Sequence, residues 1–111
     1  MKKIPLKESE IQRQILDWLT WQPDCFAFRT NNIGIPLKGG GFRPSPVRGL
    51  PDIIIILMGW VIFVEVKTAK GIQSEAQKGF QTYIENAGGN YILVRSLEDL
   101  QTHLKQGNYG K

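Results

Sequence analysis

Asp52, Glu65 and Lys67 are two carboxylates and one ammonium set into a stretch otherwise rich in isoleucine and valine. Those groups are what phosphodiester hydrolysis asks for: an activated water, neutralised phosphate charge and a proton for the leaving oxygen. A hard divalent cation held by carboxylates supplies the first two, by acidifying its water and polarising a phosphoryl oxygen. Only oxygen ligands are on offer, which favours Mg²⁺ or Mn²⁺ over zinc. Asp52 and Glu65 are the expected ligands, with the backbone carbonyl of Val66 beside them and Glu8 approaching from a nearby helix. Lys67 fits as the charge that orients the water or stabilises developing negative charge. The plainer alternative is a cross-strand ion pair at the end of a sheet.

The chemistry requires all three side chains on one face. Gly59-Trp60 has the signature of a type II′ hairpin turn with Gly first. That turn pairs Met58 with Val61, Ile56 with Phe63, Ile54 with Glu65 and Asp52 with Lys67. Residues directly opposite share a face and side chains alternate, so Asp52, Glu65 and Lys67 come out together. A loop one residue longer or shorter would separate Asp52 from the other two.

Around this hairpin the periodicity predicts a helix over roughly residues 7 to 21, with Ile11, Ile15, Trp18 and Leu19 inward. Glu8 extends that stripe, whereas Glu10 phases with Gln14, Asp17 and Trp21; first-turn dipole compensation accounts equally well for the inward-facing acid. Cys25 to Thr30 reads as a strand. Residues 33 to 51 hold five glycines, four prolines and three bases, Lys38, Arg43 and Arg48, with no acid. Gly39-Gly40-Gly41 cannot support a regular element cheaply. The segment is either a mobile loop or the tip of an irregular hairpin, and its one-sided charge suits a phosphate-facing flap as well as a solvated loop. Ser74 caps a helix from Glu75 to about Ala87, with Ala76, Phe80, Tyr83, Ile84 and Ala87 as its stripe. Tyr91 to Arg95 is the next strand, and Ser96 with Asp99 makes a capping box for a last helix. The order α-β-β-β-α-β-α describes an α/β domain, a mixed sheet flanked by helices, with a right-handed βαβ unit at its end.

With 111 residues, 41% apolar and 22% charged, the chain suits a single domain with a core that needs no disulfide. Its net charge of +4 points weakly to a polyanionic partner. Cys25 is the lone cysteine, which removes disulfides and Cys-based zinc sites and fits a reducing cytoplasm. The apolar run from Ile53 to Val64 is too short to span a bilayer as a helix. No secretory signal is evident at the start, so no membrane association is expected.

Taken together, the segments resemble a VRR-NUC domain of the PD-(D/E)xK nuclease superfamily over nearly the whole chain. The resemblance rests on Glu8-Ser9-Glu10-Ile11-Gln12, Phe28-Arg29-Thr30-Asn31, Gly49-Leu50-Pro51-Asp52, Val64-Glu65-Val66-Lys67, Ser74-Glu75-Ala76-Gln77 and Arg95-Ser96-Leu97-Glu98-Asp99. It implies a restriction-endonuclease-like fold and divalent-metal-dependent DNA cleavage. Family roles fall on Glu8, Asp52, Glu65 and Lys67, and Gln77 joins them as a residue able to reach the scissile phosphate or a bound water. Arg29, Asn31, Lys38, Arg43 and Arg48 are the expected DNA contacts. Small single-domain members look like virus- or phage-associated enzymes, which implies a bacterial or phage-infected cell, a homodimer and branched DNA such as four-way junctions. The competing readings are a catalytically weak nucleic-acid-binding module and an interaction protein whose hairpin salt bridge is structural. His103 stands alone on the last helix and reads as a surface residue.

Overall fold

The computed structural model describes residues 4–30, 35–43, 48–107 and 109, with backbone only at 35, 36, 42 and 43. Helix α1 is Glu8–Thr20 and strand β1 is Cys25–Arg29. Two short strands follow, β2 (Ile35–Pro36) and β3 (Phe42–Arg43), paired only with each other. Within the described residues the Gly39–Gly41 run is therefore the tip of the irregular hairpin, and the outer parts of its expected arms, 33–34 and 44–47, lie outside them. Strands β4 (Ile53–Leu57) and β5 (Trp60–Val66) lead to α2 (Glu75–Asn86), β6 (Asn90–Val94) and α3 (Leu97–Gln106).

The main sheet has the order β1-β4-β5-β6. Its first two pairings are antiparallel, and β5 and β6 are parallel, joined through α2. Apart from the small hairpin, the element order is the expected α-β-β-β-α-β-α. Burial alternates along the strands because one face is packed much more tightly than the other. Ile53, Ile55, Ile62, Val64, Val66 and Val94 form a closed core with Ile11, Ile15 and Leu19 of α1 and Leu100 of α3. Each such aliphatic side chain stabilises the fold by about 1.5–3 kcal/mol relative to exposure. Helices α1 and α3 thus share one face. Helix α2 covers part of the other, where Phe80 meets Phe63 edge-on with ring centroids 5.7 Å apart.

The hairpin turn differs from the expected one. Leu57 pairs with Trp60 and Ile56 with Val61, so Met58-Gly59 is the loop rather than Gly59-Trp60. Both loop residues have positive φ, 50° at Met58 and 87° at Gly59, which is the type I′ pattern with Gly second. The register moves by two residues, to Ile54 opposite Phe63 and Ile53 opposite Val64. A shift of two preserves every face, so Asp52, Glu65 and Lys67 remain together.

Two smaller expectations also change. The inward stripe of α2 is Gln77, Phe80, Gln81 and Ile84, while Ala76, Tyr83 and Ala87 are exposed. At the start of α3, Ser96 Oγ accepts from the Asp99 amide, but the Asp99 carboxylate accepts from the Arg95 amide rather than closing the box. Cys25 is half-buried against the core and burial pushes its thiol up, as expected of a packing residue. Among the described residues no helix is long and apolar enough to cross a membrane.

Candidate active site

Strand β4 begins at Ile53, so Asp52 lies just before it, where the ladder with β5 runs out. Its side chain takes over from the backbone there: Asp52 Oδ2 accepts from the Val66 amide at 2.8 Å. This bond holds the carboxylate against β5, next to Glu65. The loop ahead of it is pinned in turn, because the Thr30 amide donates to the Asp52 carbonyl and the Thr30 hydroxyl to the Pro51 carbonyl.

Glu65 is the centre of the arrangement. It is fully buried, although charged residues are almost never so without a partner. Gln77 Nε2 donates to its Oε2 at 3.2 Å, and Lys67 Nζ lies 3.9 Å from the same oxygen. Its Oε1 is buried with no hydrogen-bond partner. Its pKa is pushed up to about 8, first by burial and then by the Asp52 carboxyl beside it. The Lys67 ammonium works in the opposite direction, and Glu8 adds a smaller upward push.

Gln77 is aimed by its own helix. Ser74 Oγ accepts from the Gln77 amide at 3.1 Å while Gln77 Oε1 accepts from the Ser74 amide at 2.8 Å. This reciprocal capping box uses the carbonyl end of the Gln77 side chain and leaves its NH₂ directed at Glu65. Lys67 is nearly buried, and its backbone continues the ladder by donating to the Val94 carbonyl. The loop after it is gathered by Arg95, whose Nη1 donates to the carbonyls of Thr68 and Gly71 at 2.6 and 2.9 Å.

Two solved proteins share this architecture. One, described as "VRR_NUC domain", is 20% identical, with a TM-score of 0.62 over 89% of this chain and 95% of its own. The other, "VRR_NUC domain protein", is 19% identical, with a TM-score of 0.64 over 93% of this chain and 88% of its own. The chain has the VRR-NUC fold. No family model matches the sequence, and no curated protein matches it significantly.

Within the VRR-NUC fold, Asp52, Glu65, Lys67 and Gln77 converge as the sequence predicts. Glu8 is half-buried at the start of α1 and is felt by Glu65, whereas Glu10 turns back to accept from the Lys7 amide. Among the described residues no group of three acidic, His or Cys side chains forms a metal-binding cluster, so the close pair is Asp52 and Glu65. Val66 turns its side chain into the core, and its amide serves Asp52. Arg29 tethers the start of α1 by donating to the Ser9 carbonyl at 3.3 Å. Lys38 and Arg48 are exposed, Arg43 lies on β3, and Asn31 falls outside the described residues. His103 lies 3.7 Å from Asp99 on α3, away from the site.

Sequence reading missed Tyr91, Gln73 and Gln81. Tyr91 stands opposite Phe63 on β6, is 8% exposed, and accepts from Gln73 Nε2 at 3.1 Å. The same Gln73 nitrogen donates to Gln81 Oε1 at 3.1 Å. Burial, and then the charge of Glu65, pushes the Tyr91 phenol up to about 12. The signal was present in the spacing: Gln73, Gln77 and Gln81 recur every four residues, a polar stripe along one side of α2 and its approach.

Proposed function

We propose that the protein is a divalent-metal-dependent DNA endonuclease that hydrolyses phosphodiester bonds. The observation that carries this reading is Glu65, fully buried beside Asp52 with Oε1 unpartnered. A buried carboxylate oxygen without a donor is costly. Asp52 sets a second carboxyl beside it, and a close acid pair is the environment that a hard cation relieves. Asp52 and Glu65 would hold Mg²⁺ or Mn²⁺ as an all-oxygen pair, and the Val66 carbonyl and Glu8, which stands outside that close pair, are the further ligands proposed. Bound there, the ion would supply Lewis acidity and an acidified water.

The chain's own groups have separable tasks. Gln77 fixes the Glu65 rotamer through its NH₂ and leaves Oε1 free. Lys67 presents an ammonium, nearly enclosed by protein, on the same side as both acids. In that low-dielectric setting it stabilises negative charge growing on a phosphoryl oxygen or orients the attacking water. Val66 keeps Asp52 from swinging into solvent by donating its amide. Exposed Lys38 and Arg48, with Arg29, Asn31 and Arg43, are the proposed contacts to the DNA backbone.

Branched DNA such as a four-way junction, cut by a homodimer, is the finer part of the proposal. It comes from the resemblance to small VRR-NUC proteins, and a twofold axis would set two sites for cuts in paired strands. The test is a nicking assay on branched and linear DNA with Mg²⁺ or Mn²⁺, comparing wild type with Lys67→Ala, beside calorimetry with Mn²⁺ on wild type and Asp52→Asn. Wild type should cleave and bind the metal, and each variant should lose its function. Equal cleavage by wild type and Lys67→Ala ends the enzymatic assignment. Metal-independent DNA binding without cleavage would leave a nucleic-acid-binding module that keeps the fold.

A further inference from the structure

The sheet face that carries Asp52, Glu65 and Lys67 does not stop at the site. Register places Phe28 opposite Ile54 and Phe26 opposite Ile56, and Ile54 and Ile56 share the parity of Asp52. Across β4, Ile56 stands opposite Val61. Helix α2 meets this face at Phe63, through Phe80. Beyond it the face is apolar and open: Phe26 is 64% exposed, Phe28 38%, Ile56 38% and Val61 43%. The other side of the same strands packs into the core through Cys25, Ala27 and Leu57, so burial has already been satisfied where the fold needs it.

We infer that Phe28 and Phe26 form a stacking platform for unpaired bases of the DNA strand that runs through the active site. The inference rests on the endonuclease reading and names the form of DNA that site would take. Phe28 lies two residues beyond the level of Asp52 on the adjacent strand, and Phe26 two further, so the pair leads directly away from the carboxylates. Residues two apart on a strand are about 6.7 Å apart, roughly twice the ~3.4 Å spacing of stacked bases in a duplex. The rings themselves are 5.5 Å apart between centroids and tilted by 37°. That spacing suits an extended strand with its bases separated, each laid on one ring, and does not suit a stacked duplex. Aromatic side chains accept any base because every base has a π-face.

A second copy of the chain is the competing occupant, and the area argues against it. The exposed parts of these four side chains come to roughly 300–400 Å², against about 800 Å² per partner in a stable interface.

The test measures binding of a short oligothymidylate and of a blunt duplex, by fluorescence anisotropy in EDTA, to wild type, Phe26→Leu/Phe28→Leu and Phe28→Tyr. Leucine keeps the apolar volume and removes the ring; tyrosine keeps the ring. The double leucine variant should bind the single strand at least tenfold more weakly, because the base–ring stacking is lost, with duplex affinity unchanged. Phe28→Tyr should bind like wild type. Equal single-strand affinity in wild type and the leucine variant overturns the platform. So does a parallel loss on both DNAs, or a wild-type dimer in sedimentation that the leucine variant dissociates. Cleavage of branched DNA with Mn²⁺ is followed in the same proteins. A wild type that stacks single strands but cuts nothing sinks the endonuclease reading and leaves the platform, whereas cleavage with no leucine effect does the reverse.

Discussion

If Glu65 holds a cation as proposed, one buried carboxyl ties stability to both pH and metal. Its folded-state pKa near 8 lies above the ordinary carboxyl value of 4.5, so between those limits the folded chain holds a proton that the unfolded chain has released. Stability therefore falls as pH rises through that window, by at most about 1.4 kcal/mol per pH unit from this group. In EDTA, urea midpoints should fall from pH 5 to pH 8 in wild type, and Glu65→Gln should flatten that fall; identical slopes would refute it. Added Mn²⁺ should stabilise wild type more at pH 8 than at pH 5, because at the lower pH the ion must displace the proton. Gln77 separates two roles held by one side chain. Gln77→Glu keeps an acceptor for the Ser74 amide but sets a second carboxylate against Glu65 Oε2, so cleavage should drop at least tenfold while the helix cap survives. Gln77→Ala should lose cleavage and also about 1 kcal/mol of stability with the cap. Urea melts beside cleavage rates on both variants decide it, and a destabilised Gln77→Glu with normal cleavage would reverse the assignment.

The hairpin explains why the elements could be read from sequence although the turn could not. Gly59 is visible as a turn residue, but glycine takes the first place in a type II′ turn and the second in type I′. The two choices differ by two residues in register and agree on every face, so the common side of Asp52, Glu65 and Lys67 was legible before the pairing was. Helix α2 was legible as a helix but its inward side was not. Counting apolar residues rotates the stripe toward Ala76 and Tyr83, whereas the sheet beneath carries Glu65 and Tyr91, which call for glutamines. The contact that seats α2 escapes pattern reading altogether. A Cβ on Gly49, at φ +75°, would lie 2.1 Å from the Ala76 carbonyl oxygen and 2.7 Å from the Gln77 nitrogen, so this loop abuts the first turn of α2. Gly49→Ala should cost about 2–4 kcal/mol through backbone strain and displacement of that turn, and should weaken cleavage with it. Gly59→Ala meets nothing within 4 Å and should cost only about 1–2 kcal/mol from its positive φ. Equal losses in chemical denaturation would mean that the Gly49 contact does not seat the helix.

At the scale of the whole molecule, the order of elements and the sheet that gathers the site follow from local periodicity, because each segment buries one face against its neighbours. Charge is different: it acts at a distance, and its use depends on where the bases stand in space. Three bases without an acid lie between residues 33 and 51, in a chain of net charge +4, and Lys38 and Arg48 are exposed. Replacing Lys38, Arg43 and Arg48 by alanine lowers the formal charge from +4 to +1. If each base neutralises one phosphate, the slope of log affinity against log salt should become shallower by roughly 2–3, at about 0.7–0.9 per phosphate contact. Affinity for DNA at low salt should fall, and Mn²⁺ affinity should stay as it is, since none of the three is among the proposed ligands. Anisotropy titrations from low to moderate salt, with Mn²⁺ calorimetry alongside, read both quantities. An unchanged slope would place the DNA on another surface, and a change in Mn²⁺ affinity would mean that the segment supports the carboxylates rather than the substrate.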